Sequence, residues 1–220
     1  MEFNMEVEKI LNIAKILFSG LGTSLEIFMI TLFFSIPLGV LVASLRNSKN
    51  KLISNIMKVY ILLIRGTPMI LQIIFVYFAP YYLFKISYDR FIAIIIAFVI
   101  NYAAYFSEIF RSGINSIPTG QIEAGFTLGF SKVQIFFLII LPQVIKRILP
   151  ASSNEVISLI KTTSLAQVIG VAEMFSFAQK QSSYNFSIIP LIIAGGYYLA
   201  LVFLISILFN RAEKKLEYYS

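Results

Sequence analysis

From Ile188 to Phe209 the chain carries no charged side chain, and the stretch Phe91 to Ile100 is uncharged as well. A helix needs about 20 mainly apolar residues to cross the hydrocarbon layer of a bilayer. Segments of this kind have no place on the surface of a soluble domain. The whole chain is 58% hydrophobic with a mean hydropathy of +0.84, whereas soluble domains are about half apolar. The sequence therefore predicts an integral, all-α membrane protein built as one domain over residues 1–220.

Five hydrophobic regions follow along the chain. The first runs from about Ile16 to Leu45 and is interrupted by Pro37 and Gly39. The second, about Leu52 to Phe84, contains Arg65-Gly66-Thr67-Pro68. At 1.5 Å per residue it is too long for one simple crossing. It either projects beyond the membrane or breaks near Gly66 and Pro68, and an extended, kinked helix is the preferred reading. The third covers about Phe91 to Phe110, the fourth Ala151 to Met174, and the fifth Ile188 to Phe209.

Charge places the loops. Arg46, Lys49, Lys51 and Lys58 follow region one, Arg111, Lys132, Lys146 and Arg147 follow region three, and Arg211, Lys214 and Lys215 follow region five. Cytoplasmic loops are enriched in Lys and Arg. Five crossings then put the C-terminus inside and a short N-terminal segment, about 1–15, outside. The net charge of +7 is accounted for by these loops and does not call for nucleic acid. The acidic start (Glu2, Glu6, Glu8) is unlike the basic start of a cleavable leader. With no histidine and no cysteine, disulfides, Cys/His metal sites, thiol nucleophiles and imidazole acid–base chemistry are excluded.

Residues 113–150 form a semi-polar link between regions three and four. Its apolar run Ile135 to Leu141 is shorter than a span and is followed by Pro142, so it reads as an interfacial or cytoplasmic helix. Ser131 and Gln134 have capping-box spacing. Upstream, Ile122, Phe126 and Phe130 share one face of a short helix at i, i+4 and i+8. Such a face packs either on this chain or on a partner.

That helix also carries a motif. Glu123-Ala124-Gly125, three residues, Gly129, nine residues and Ile139-Ile140-Leu141-Pro142 resembles the cytoplasmic loop of binding-protein-dependent ABC importer permeases. Gly125 stands where the family has alanine, a change expected to lower helix propensity slightly without altering docking. Arg65-Gly66-Thr67-Pro68, Ala104 to Arg111, Leu141-Pro142-Gln143, Asn154-Glu155 and Lys161-Thr162-Thr163-Ser164-Leu165 extend the resemblance to the polar amino acid branch, which commonly has Asp at position 162. The resemblance implies a type I permease fold with five spans and a coupling helix between spans three and four. It further implies a homodimer or a heterodimer with a related permease, two ABC ATPase subunits, and an extracytoplasmic solute-binding protein. Gln121, Ile122, Glu123, Ala124, Phe126 and Gly129 are the expected ATPase-coupling surface. The chain has no phosphate-binding G-x-x-x-x-G-K-[ST] loop, so ATP and Mg are expected on the partner and no cofactor on this chain.

Polar groups inside spans are costly and usually face a cavity or partner. Glu108 lies three residues before Arg111, which favours a structural pair. Asn101, with Tyr102 beside it, Tyr105 and Glu108 define one side of region three. In region four Glu155, Ser158 and Thr162 fall at i, i+3 and i+7, with Asn154 and Lys161 on the adjoining stripe. Asn154, Glu155 and the hydroxyls offer acceptors for an ammonium and donors for a carboxylate. Glu26, inside region one, is the candidate for a basic substrate side chain, or else half of a buried ion pair. The expected substrate-binding set is thus Glu26, Asn101, Tyr102, Asn154, Glu155, Ser158 and Thr162, for a polar and preferably basic amino acid. An ion-coupled secondary transporter or channel would also explain intramembrane acids, but five spans do not divide into two equal repeats. No base or metal-ligand set accompanies these groups to suggest an enzyme.

Overall fold

The computed structural model describes residues 2–216, so residue 1 and residues 217–220 of the expected 1–220 domain lie outside it. The described chain runs α1 (Glu2–Arg46), α2 (Lys51–Gly66), α3 (Met69–Phe84), α4 (Arg90–Asn115), α5 (Thr119–Thr127) and α6 (Lys132–Gln134). A π-helical stretch (Ile135–Ile140) leads into α7 (Leu141–Thr162), a 3-10 stretch (Thr163–Ile169), α8 (Met174–Asn185) and α9 (Ile189–Leu216). Among the described residues, four helical paths are long and apolar enough to cross a bilayer: residues 6–46, 90–115, 132–169 and 189–216. The bent pair α2–α3 makes a fifth when counted as one span.

Helix α1 has 45 residues, about 67 Å at the α-helical rise, against a hydrocarbon core of about 30 Å. The stretch before Ile16 therefore prolongs the first span as helix. Pro37 sits within α1 without ending it. Helix α4 is the centre of the bundle, packed by α1 along one side and by α3 and α7 on others. Its buried positions include Ala93, Ala97, Ala103, Ala104 and Ser107. Small side chains allow close backbone approach, which matters in lipid because no hydrophobic force pulls helices together. Phe98 and Phe106 of α4 fill the spaces that remain, with Ile27 of α1, Ile73 of α3 and Leu159 and Ile160 of α7, all fully buried.

The second hydrophobic region is not one kinked helix. It breaks into α2 and α3, which meet at 111°. Pro68 has no amide hydrogen and holds the preceding Thr67 extended (φ −117, ψ 147), as residues before proline prefer. The freed backbone is satisfied by two side chains, the Thr67 hydroxyl donating to the Leu63 carbonyl at 2.8 Å and the Gln72 amide. The Gln72 amide donates to the Ile64 carbonyl at 2.8 Å, the Thr67 carbonyl at 3.1 Å and the Thr67 hydroxyl at 2.8 Å. Its own carbonyl accepts from Asn101 Nδ2 at 2.8 Å. The break is thus pinned to the centre of α4.

Two further boundaries differ from expectation. The Ile135–Leu141 run is not a separate interfacial helix, because its π-helical turns run without interruption into α7. At the other end, the fourth region stops being α-helical at Thr162 and the chain turns at Gly170 (φ +79). Helix α8 then starts afresh and packs on α1 and α9.

Candidate functional site: an open polar stripe and an exposed short helix

Helix α5 is built to stand clear of the bundle. Gly129 adopts a left-handed conformation (φ +82) and ends it. The Phe130 N–H then reaches the Gly125 carbonyl at 3.0 Å and the Gly129 N–H the Phe126 carbonyl at 3.0 Å, the paired bonds of a Schellman cap. Gly125 is the buried member of the helix. A methyl there would lie 2.7 Å from Ile135 Cγ1, so this glycine sets how closely α5 lies on the following helix, which helix propensity alone does not reveal. Phe130 packs among Ile117, Ile135, Ile140 and Val144. Ile122 and Phe126 remain 39% and 48% exposed, and Gln121, Glu123, Ala124 and Gly129 are exposed beside them. The expected apolar face is therefore divided: its last member anchors the helix and the first two are left uncovered. Ser131 and Gln134 form the expected capping box.

The second surface lies on α7. Asn154 and Lys161 are exposed, while Glu155, Ser158 and Thr162 are half-buried at the edge of the same face. Tyr102, only 3% exposed, looks across from α4 at the Ser158 and Thr162 hydroxyls with Glu155 nearby. The Thr162 hydroxyl donates to the Ser158 carbonyl at 2.8 Å. A cavity of about 490 Å³ opens beside Glu155, lined by Arg65, Tyr105, Glu108, Arg111, Arg147 and Ala151 among others. Exposure on α9 has the opposite character: Ile192, Leu199, Phe203, Leu204 and Leu208 are uncovered. A helix face bearing Asn, Glu and Lys cannot sit against acyl chains without large cost, whereas the α9 face suits them.

The candidates do not all converge. Asn101 is buried with its amide engaged on Gln72, so in this structure it holds the α2–α3 break. Among the described residues, Glu26 is neither beside Glu155 nor in a buried ion pair. It is exposed on a stripe with Gly22, Met29 and Phe33, opposite the packed positions Ser24, Ile27 and Thr31. Glu108 makes the expected bond with Arg111 (3.0 and 2.9 Å) and gathers two more arginines, Arg46 at 3.2 Å and Arg65 at 3.9 Å. Arg46 Nε has no hydrogen bond despite this proximity, so that contact is Coulombic attraction off the N–H direction.

Sequence reasoning missed one acid altogether. Glu173, near the end of the fourth hydrophobic region, is 0% exposed. It caps α8, accepting from the N–H groups of Phe175 at 2.8 Å and Ser176 at 2.6 Å. It also accepts from the Ser24 hydroxyl of α1 at 3.4 Å and the Tyr198 hydroxyl of α9 at 3.3 Å. The available signal was the spacing to Ser176, which returns the bond to the Glu173 N–H at 2.9 Å in a capping-box arrangement.

Residues 35–218 match the family described as binding-protein-dependent transport system inner membrane component. The chain is 39% identical over 206 residues to the putative glutamine transport system permease protein GlnP of Rickettsia bellii, covering 92% of this chain and 94% of that one. It is 37% identical over 206 residues to the L-cystine transport system permease protein TcyB of Bacillus subtilis, covering 93% and 88%. With the arginine transport system permease protein ArtQ of the same organism it shares 35% over 199 residues, covering 90% and 91%. Among solved structures it is similar to an amino acid ABC transporter crystallised with histidines, with a TM-score of 0.86 at 30% identity, covering 94% of this chain and 97% of that chain. The fold, the break-and-bundle arrangement of its helices and these likenesses lead to one statement: the chain belongs to the binding-protein-dependent transport system inner membrane components, the non-catalytic permease subunits of ABC transporters.

Proposed function

We propose that the chain forms half of the transmembrane pathway of an importer for polar amino acids, basic ones among them. The observation that carries this reading is the α7 face. Asn154, Glu155, Ser158, Lys161 and Thr162 form a polar stripe on a membrane helix, open where only water, substrate or a second permease can meet it. The relatives named for glutamine, cystine and arginine support an amino acid as cargo. A second copy or a related permease closes the pathway. The loop charges orient the assembly, with the C-terminus in the cytoplasm and a solute-binding protein on the outer side. Two ATPase subunits, which bind ATP and Mg, dock on Gln121, Ile122, Glu123, Ala124, Phe126 and Gly129. Their motion is passed through α5 to the spans and exposes the stripe to each side in turn.

The test is uptake of labelled amino acids into vesicles containing the chain with and without its ATPase. Uptake is expected only with the ATPase and ATP; uptake by the chain alone would instead indicate a secondary transporter. Glu123→Lys reverses the charge beside Ile122 and Phe126, and coupled uptake is expected to fall at least about 10-fold, the scale of a lost interfacial charge contact. Wild-type uptake by that variant would remove α5 from the coupling path.

A basic substrate needs an acid for its side chain in addition to one for its ammonium. Glu26 has no ion pair among the described residues, and its open stripe reaches the pathway where the second permease covers it. Glu26→Gln is then expected to lower arginine uptake several-fold more than glutamine uptake. Equal uptake losses for the two amino acids would reject that role.

A further inference from the structure

Among the described residues, the cavity beside α7 holds one guanidinium with only a long ion pair, Arg65 to Glu108 at 3.9 Å, and one carboxylate, Glu155, with no ion pair. Five ionised side chains line it: Arg65, Glu108, Arg111, Arg147 and Glu155. Three of these are already committed. Arg111 and Glu108 are joined by two hydrogen bonds, and Arg147 donates to the Ser116 carbonyl. Arg65 is different. It reaches only the outer side of Glu108 at 3.9 Å, behind Arg111 at 2.9 Å and Arg46 at 3.2 Å, and its side chain is 45% exposed. Its guanidinium lies over the Tyr105 ring, 5.2 Å from the centroid, a contact that uses the face of the group and not its N–H edge. Glu155 of α7 lines the same cavity, yet the two form no ion pair.

We infer that Arg65 and Glu155 bind the two ends of an amino acid's backbone, with the α-carboxylate on Arg65 and the α-ammonium on Glu155. This deepens the proposed amino acid pathway and rests on it. The geometry favours the pairing for three reasons. Guanidinium matches a carboxylate with two parallel N–H groups. The two side chains stand apart across a cavity of about 490 Å³, within the roughly 300–1,000 Å³ of small-molecule sites. A zwitterion satisfies both charges at once, whereas an amine or an acid alone leaves one uncompensated. Ser158 and Thr162, one to two turns further along α7, and Tyr102 of α4 are then left for the side chain. Arg65 is also the last residue but one of α2, immediately before the 111° break. Its position therefore depends on the Gln72–Asn101 anchor, which gives Asn101 a positioning part in the site.

The inference is tested by equilibrium binding to the purified permease–ATPase complex without the solute-binding protein. The probes are L-arginine, agmatine (which lacks the carboxylate) and 5-guanidinopentanoic acid (which lacks the α-amine). L-Glutamine with 4-aminobutanamide and glutaramic acid serves in the same roles for a neutral substrate. The wild-type complex is expected to prefer the amino acid over each analogue by roughly 10- to 100-fold, as for hydrogen bonds to charged groups. Arg65→Gln should abolish only the preference over the decarboxylated analogue, and Glu155→Gln only the preference over the deaminated one. Arg65→Gln keeping its preference against the decarboxylated analogue would overturn the inference. So would equal loss of all three ligands together with a lowered thermal midpoint, because Arg65 would then be structural. A wild-type complex that binds no amino acid at all, with or without ATPase turnover, would instead overturn the amino acid reading itself.

Discussion

Replacing Glu173 with alanine is expected to destabilise the protein by about 3–5 kcal/mol and to loosen α8 from α1 and α9. The carboxylate is fully buried and accepts from two backbone N–H groups and from the hydroxyls of Ser24 and Tyr198. Alanine leaves those donors facing a void between α1, α8 and α9. Each buried donor left unpaired costs about 1–3 kcal/mol, and the losses overlap because the groups share one site. Ser24 retains some work of its own, since it accepts from the Met174 N–H at 3.3 Å and donates weakly to the Gly20 carbonyl at 3.4 Å. Glu173→Gln keeps an acceptor of the same shape and is expected to lose less, about 1–2 kcal/mol. Thermal unfolding of the detergent-purified variants decides this, with Ser24→Ala and the double variant giving the coupling between α1 and α8. Wild-type midpoints for both Glu173 variants would show that the cap contributes nothing.

Glu108→Ala is the second large effect, expected at about 2–4 kcal/mol. The carboxyl side chain is 18% exposed and draws Arg46 from the end of α1, Arg65 from the end of α2 and Arg111 from its own helix. Three cations around one anion are tolerable only while the anion is present. Its loss sets the arginines against one another and frees the ends of three helices at once. Partial screening by water at this rim keeps the loss below that of a fully enclosed pair. The mechanism makes a further prediction about the double variant. Arg46→Met in the Glu108→Ala background is expected to recover part of the thermal midpoint, because it removes repulsion and adds an apolar side chain against α2. Further destabilisation by the second change would show that Arg46 acts through contacts other than Glu108.

Much of this was legible in the chain. The Ser131–Gln134 cap and the pairing of Glu108 with Arg111 follow from local chemistry, because each involves residues within one helical turn. The break at Thr67–Pro68 was visible as a possibility. Its sharpness was not, because it depends on Gln72 accepting from Asn101, a residue on another helix. Gly125 looked like a weak helix former, and only the neighbouring Ile135 side chain shows why there is no room for a methyl group.

The sequence by itself determined a helical membrane protein with five hydrophobic regions, and the loop motif from Glu123 to Pro142. Apolar run length, loop charge and residue spacing carry those facts without reference to the rest of the fold. Only the tertiary structure decided which acids face inward: Glu173 is enclosed, Glu155 borders an open cavity and Glu26 stands on the outer stripe of α1. The physical reason lies in the solvent. In water, a helix shows its buried side by polarity, but lipid is as apolar as a protein core. The two faces of a membrane helix therefore read alike until its neighbours are in place.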